Sequence, residues 1–370
     1  MKQDCSIRNY LPGDAEKIVE LLENCFPNGW PSRRISCSPF DFWKWKHQDR
    51  VYKCSFVAIC SKNKEVIGVN HHMPIRLKFF DEICNCALSG DNAVQRDFRN
   101  TGISKRLYEL CHKDAGSSLK YWHTGNQYLV KSALEKQELF PPFKIKIMSR
   151  VRDINLYLRH STHGALKIWR ILVGFKLWQS FNHIKQQVKV GNQEETKGFY
   201  ISNIKAFDDR IDLLCEEALK HHLFMVQRSR AYLNWRYLDP RAGNYTIRQI
   251  TKAGQILGYV VLQIDEVEPG SPRGFITDLL TLPRRPDIIK ALVSDSINYF
   301  DTRGINVISA LVVAGHPIER ALNENGFFTL KRRPGVFGRI LDTAKFDNKK
   351  KLALEKVKPN RLHFCYGDLD

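Results

Sequence analysis

The stretch Gln95-Arg-Asp-Phe-Arg99-Asn100-Thr101-Gly102-Ile103-Ser104 has the residue types of an anion cradle. It follows a strand-like run ending at Val94. It precedes Lys105-Arg-Leu107-Tyr-Glu-Leu110-Cys111, and Ile103, Leu107, Leu110 and Cys111 recur at helical spacing. The first N–H groups of a helix have no partner inside it, and the helix dipole favours negative charge there. Gly102 removes a side chain where a phosphate would approach the backbone, and Ser104 is small for the same reason. Arg99 and Lys105 add positive charge. Together these features suit the diphosphate of a nucleotide-like cofactor. The P-loop pattern (GxxxxGK, then Ser or Thr) and the dinucleotide pattern GxGxxG are both absent.

Elements on either side must hold this loop. Ile75 to Phe80 and Cys84 to Val94 read as two strands joined by a turn at Asp81-Glu82. An internal repeat brackets them. Trp45-Lys46-His47 precedes a strand, a polar turn and Gly68; Trp235-Arg236-Tyr237 precedes the same order and Gly258. The Trp-to-Gly distance is 23 residues in both copies. The duplication predicts a first domain over 1–150 and a second over 195–345. A basic, partly helical linker over 151–194 joins them, and a basic tail covers 346–370.

Arg99-x-x-Gly102-x-Ser104 after a strand resembles the Q/R-x-x-G-x-G/A acyl-CoA loop of the GNAT (N-acetyltransferase) superfamily, with Ser104 where Gly or Ala is usual. The context is similar too. Ser6-Ile-Arg8 to Leu22 resembles the opening strand and helix of these domains, Tyr121 to Asn126 the fifth strand, and Tyr128 to Leu139 the helix after it. The second copy closes in the same style, with a strand from Asn306, a helix from Pro317 to Asn325, and Gly326-Phe327-Phe328. Its loop position reads Leu282-Pro-Arg-Arg-Pro286, where two prolines remove backbone donors, so the cradle is expected in the first copy alone.

The resemblance implies an α/β fold of two tandem GNAT-like domains, each a mixed, mostly antiparallel sheet flanked by helices. It also resembles GNAT proteins of bacterial surface-polysaccharide clusters, through Trp235-Arg-Tyr237 and the closing Gly367-Asp368-Leu-Asp370. The implied activity is N-acyl transfer from acetyl-CoA or another acyl-CoA to the amine of a small or sugar-linked acceptor, with no metal. The implied cofactor contacts are Val94, Arg99, Asn100, Thr101, Gly102, Ile103, Ser104 and Asn126. An amine attacking a thioester needs a base, an acid for the thiolate, and donors that polarise the carbonyl. Asp91 is the expected base, with His72 (or its neighbour His71) as a further candidate. Tyr128 is the expected acid, and the backbone at Val94 is the expected donor.

The charge is +19 but uneven. Residues 141–190 carry ten Lys/Arg and one acid, and residues 331–361 carry eleven Lys/Arg and three acids, so the rest is nearly neutral. Aromatics interleaved with cations in 151–190, such as Trp169, Phe175 and Trp178 beside Arg170 and Lys176, fit an anionic membrane surface. The alternatives are a same-fold transferase with a longer acyl or an aminoacyl donor, and a non-enzymatic basic scaffold for nucleic acid or anionic lipid. The ten cysteines form no CxxC pair, which points to free thiols and excludes the common zinc spacings. No secretory leader is read at the N-terminus and no apolar run of membrane-spanning length exists, so the expected location is cytoplasmic, with the linker peripheral to a membrane.

Overall fold

The computed structural model describes residues 5–26, 30, 31, 35–117, 119–123, 131, 135, 143–153, 198–268, 271–329, 336–340, 353 and 356–369. The first run of elements is β1 (Ser6–Asn9), α1 (Ala15–Cys25), α2 (Pro39–Trp43), β2 (Phe56–Lys62), β3 (Glu65–Phe79), β4 (Glu82–Val94), α3 (Ile103–Ala115), β5 (Leu119–His123) and β6 (Ile145–Val151). The second is β7 (Tyr200–Ile204), α4 (Arg210–His221), β8 (Phe224–Val226), α5 (Arg230–Tyr237), β9 (Tyr245–Lys252), β10 (Gln255–Glu268), β11 (Ser271–Thr281), α6 (Pro286–Asp301), β12 (Val307–Val313), α7 (Pro317–Glu324), β13 (Phe328–Thr329) and β14 (Val336–Ile340).

Local chemistry starts the two helices that carry the repeated tryptophans. Ser38 caps α2 by accepting from the Asp41 amide, with Pro39 at the first position, where its missing N–H costs nothing. Ser229 caps α5 in the same way through the Tyr232 amide. Beyond Trp43 the first helix continues as a π-turn over Lys44–Gln48, which carries Trp45, Lys46 and His47 into the interior.

The strands form two seven-stranded sheets. The first runs β1-β2-β3-β4-β5-β14, with β8 also paired to β3; the second runs β13-β6-β12-β11-β10-β9-β7. Pairing is antiparallel except β4 with β5 and β11 with β12. Helices cover the faces, so this is the expected α/β fold with mixed, mostly antiparallel sheets. The α1 and α2 side of the first sheet packs Ile18, Leu22, Phe42, Trp43, Val57 and Val69; the α3 side packs Ala58, Cys60, Ile67, Ile103 and Leu107.

The expected limits at residues 150 and 345 do not follow the sheets. Strand β6, placed with the first half, pairs along its whole length with β12 in the second sheet. Strand β14, placed with the second half, pairs with β5 in the first. Each half thus gives its late strand to the other. Alternating hydrophobicity identifies a strand and its buried face, not its partner, which is why the exchange is invisible locally.

The repeat meets itself where the two halves touch. The Trp45 and Trp235 rings stack with centroids 5.2 Å apart. Each indole N–H donates to the other residue's carbonyl, at 3.0 Å from Trp45 and 3.3 Å from Trp235. A Cβ on Gly68 would lie 3.1 Å from Leu107 and 3.2 Å from Ile103, so the glycine lets α3 lie close against β3. That contact aims the N-terminus of α3 at the end of β4.

Candidate active site

Strands β4 and β5 pair only over Cys86–Ser89 with Leu119–Trp122. Beyond Ser89, β4 runs on to Val94 with no strand on that side among the described residues, and a cleft opens in the sheet. At its mouth lies the predicted loop. Gly102 precedes α3 in the left-handed conformation (φ 84°), and so does Asn100 (φ 64°). No side chain caps α3, and a Cβ on Gly102 would meet nothing within 4 Å, so its first amides face open space. Thr101 Oγ1 donates to the Phe98 carbonyl at 2.6 Å and Arg99 Nε to the Val94 carbonyl at 3.1 Å, which tie the loop to the strand end. Ile103 is buried and anchors the helix, while Ser104 is exposed. The structure therefore brings Val94, Arg99, Asn100, Thr101, Gly102, Ile103 and Ser104 together. Asn126 and Tyr128 lie outside the described residues, as do most of the linker and part of the tail.

The middle of β4 is kinked. His71 pairs with Gly90 and Val69 with Ala93, so Asp91 and Asn92 oppose the single residue Asn70. Asp91 holds φ at 50°, unusual for a residue with a side chain. Asn92 fixes the bulge, accepting from the His71 amide at 2.8 Å and donating to Ser89 Oγ at 2.9 Å.

The bulge points Asp91 into a buried polar cluster. Its Oδ2 lies 2.7 Å from Lys46 Nζ and 3.0 Å from His47 Nε2, and its Oδ1 accepts from the Trp30 indole at 2.9 Å. Burial alone would push this carboxyl up, but Lys46, His47 and His71 hold it well below the usual carboxylate range. A carboxylate so saturated with donors is a poor proton acceptor, whereas the sequence expectation gave Asp91 the task of the base. It serves to orient and charge-balance its neighbours. His71 is also unsuited to the task. Its Nε2 accepts from the Trp43 indole at 3.1 Å, so its proton sits on Nδ1, 2.8 Å from the Asp91 carbonyl. With Nε2 occupied by a donor, that ring has no lone pair to offer. His72 lies on the α3 side, against Tyr108 and away from Asp91, buried, with no hydrogen-bond partner on either ring nitrogen.

Burial leads the forces that keep these three imidazoles neutral, bringing His47 down to about 3, His71 to about 4 and His72 to about 3. In the unfolded chain each returns to 6.5. Between those values the unfolded state binds protons that the folded state refuses, so stability falls as pH drops from 6.5 toward 4. Urea unfolding is expected to show a clearly lower midpoint at about pH 5 than at about pH 7. Equal midpoints would mean that these rings are not buried as neutral groups.

The second sheet has the corresponding cleft, because β11 and β12 pair only over Arg273–Ile276 with Val307–Ala310. There it is filled. Leu362 to Cys365 of the tail lie against Leu279 and Ala310–Val313, and His363 Nε2 is 3.1 Å from the Leu279 carbonyl. Gly258 pairs with Thr281 as Gly68 pairs with Val94, which makes Asp278 the counterpart of Asp91. Around it the residues differ: Trp43, His47, Ser55, His71 and His72 correspond to Leu233, Tyr237, Tyr245, Val261 and Leu262. Asp278 instead pairs with buried Arg228 at 3.0 Å, and Arg228 also reaches Asp368 of the tail at 3.0 Å. Asp278, His363 and Cys365 bring three possible metal-ligand atoms within 4.8 Å of one another. The Arg228 guanidinium, however, already contacts both Asp278 oxygens and the Cys365 sulfur, and so supplies the cation.

No protein-family model matches the chain, and no curated protein is similar to it in sequence. Solved structures do share its fold. A conserved protein of unknown function from Enterococcus faecalis V583, described as a probable N-acyltransferase, superposes with a TM-score of 0.58 at 11% identity, over 93% of this chain and 74% of that one. A GCN5-related N-acetyltransferase from Anabaena variabilis ATCC 29413 gives a TM-score of 0.57 at 11% identity, over 92% and 74%. The chain therefore shares the overall fold of these two structures. Among the described residues no helix is long and apolar enough to cross a membrane.

Lys46, His47 and Ser55 were not singled out for chemistry by the sequence. The signal for His47 was present in the repeat, where a histidine stands opposite Tyr237 in otherwise similar aromatic segments.

Proposed function

We propose that the chain is an acyl-CoA-dependent N-acyltransferase whose working site is the first cleft. It transfers acetyl from acetyl-CoA to an amine of a small or sugar-linked acceptor by direct attack on the thioester. The observation that carries this reading is the contrast within one molecule. Among the described residues no strand pairs with the β5 side of β4 beyond Ser89, the strand leads to an uncapped helix preceded by Gly102, and its bulge carries a buried polar cluster. Its counterpart beside β11 has the tail against it, and the carboxylate there is tied up by buried Arg228.

In this reading the first amides of α3 hold the diphosphate, with Arg99 adding charge. The pantetheine arm lies along the free edge of β4, where backbone donors near Val94 polarise the thioester carbonyl. Asn126 and Tyr128 are assigned to the pantetheine arm and to the leaving thiolate by resemblance. The two-domain organisation, the polysaccharide-cluster context and a membrane contact through 151–190 belong to the same proposal. Calorimetric titration with acetyl-CoA and CoA, with ATP as control, tests it. Saturable binding of both CoA species and not of ATP is expected. Absence of heat with acetyl-CoA would overturn the reading.

A further inference from the structure

His47 lies in the last part of the π-turn with its side chain 0% exposed, so it touches no substrate directly. It has hydrogen-bond neighbours on both nitrogens. Nε2 is 3.0 Å from Asp91 Oδ2, and Nδ1 is 3.1 Å from Ser55 Oγ. The direction of these bonds follows from the partners. Asp91 is ionised and can only accept, so the hydrogen between Asp91 and His47 belongs to Nε2. The neutral ring then has its lone pair on Nδ1, and the Ser55 hydroxyl must be the donor. Ser55 is half-buried and forms the outer end of the chain, held there by its own amide, which donates to the His47 carbonyl at 2.7 Å.

The groups around the ring suit a transient positive charge. Asp91 lies at one end, and His71 stacks on His47 at 4.0 Å as a neutral ring locked by Trp43. Lys46 opposes the charge but is itself paired with Asp91. The second half is an internal control. It keeps the carboxylate, as Asp278, and a group bonded to it, the Tyr237 hydroxyl at 3.1 Å. At the matching positions Tyr237 and Tyr245 stand in place of the imidazole and the serine, and the tail brings His363 and Cys365 beside Asp278 instead. A buried carboxylate can therefore be satisfied with tyrosines at those two positions; the histidine and the serine stand in the half that carries the Gly102 loop.

We propose that Ser55 is the proton-accepting end of a relay, Ser55–His47–Asp91, that deprotonates the acceptor amine. This rests on the first cleft being the acyltransferase site. As the amine nitrogen bonds to the thioester carbon, its proton passes to Ser55 Oγ and the hydroxyl proton of Ser55 passes to His47 Nδ1. Asp91 holds the Nε2–H of the resulting imidazolium. The C–S bond then breaks, the thiolate leaves, and the imidazolium returns its proton through Ser55 to the thiolate or to water. Ser55 is the catalytic group, and His47 and Asp91 activate it.

A hydroxyl activated in this way is visible without the acceptor. Incubated with a fluorophosphonate, Ser55 Oγ bonds to phosphorus, fluoride leaves, and the hydroxyl proton goes to His47. Peptide mass mapping is expected to place the label on Ser55. Labelling should vanish in Ser55→Ala and slow on the order of a hundredfold in His47→Gln. It should persist below pH 6.5, because the buried ring stays neutral there. Absence of label on Ser55, or an equal rate in a folded His47→Gln, overturns the relay. If His47→Gln does not fold, nitrogen NMR of the unaltered protein decides. The proton must sit on His47 Nε2, and finding it on Nδ1 overturns the relay. Acetyl-CoA calorimetry on the same samples separates the two claims. Binding without Ser55 labelling sinks the relay alone, and labelling without binding sinks the acyltransferase reading and with it the amine as the relay's proton donor, leaving only an activated Ser55.

Discussion

Replacing Gly102 by Trp is expected to abolish measurable acetyl-CoA binding while the protein stays folded. The residue sits at φ 84°, where a Cβ costs about 1–2 kcal/mol, a penalty the whole protein can absorb. The space around it is open, since a Cβ there would meet nothing within 4 Å, so the ring does not clash with the core. It projects instead over the amides of Ile103 and Ser104, where the diphosphate must approach. Gly102→Ala adds the backbone cost with little bulk and should weaken binding less. Circular dichroism and calorimetry on both variants check the prediction. Normal affinity in a folded Gly102→Trp would place the cofactor elsewhere.

Arg228→Ala is expected to have the largest effect on stability, a loss of about 3–5 kcal/mol. Its side chain is 1% exposed and bridges Asp278 (0%) and Asp368 (1%), so the truncation leaves buried carboxylates without their cation. Burial pushes Asp368 up, whereas Arg228 counters burial and holds Asp278 down. Without the guanidinium both would be driven toward protonation. The same change frees the tail from the β11–β12 cleft. Urea unfolding measures the loss, and proteolysis of the residues after Pro359 reports the release. A variant of unchanged midpoint would show that the network contributes little. Arg228→Met with Asp278→Leu and Asp368→Leu, which removes the cation and both of its carboxylates, is expected to recover much of the loss.

Much of this was legible in the residues, for reasons that differ by element. The loop from Arg99 to Ser104 was readable because a helix start, a glycine and nearby cations are local properties of a few neighbouring residues. The repeat was readable because Trp45 and Trp235 stand the same distance before Gly68 and Gly258. Asp91 was located but its surroundings were not, since Lys46 and Trp30, which bond its carboxylate, are far away in sequence. Ser55 had no local signal. It is one of many serines near a strand start, and only the fold sets it against His47.

The exchange of β6 and β14 has a consequence for how the protein is made. A ribosome releases the chain from its N-terminus, and domains usually fold as they emerge. Here β5 waits for Val336–Ile340, and β3 waits for Phe224–Val226. The sheet that holds the cradle is therefore incomplete until nearly all of the 370 residues have been synthesised. Until then the nascent first half exposes an unpaired strand edge, a template for wrong partners. Expression of the first half alone would freeze the chain in that unfinished state, whereas the two halves produced together could complete each other.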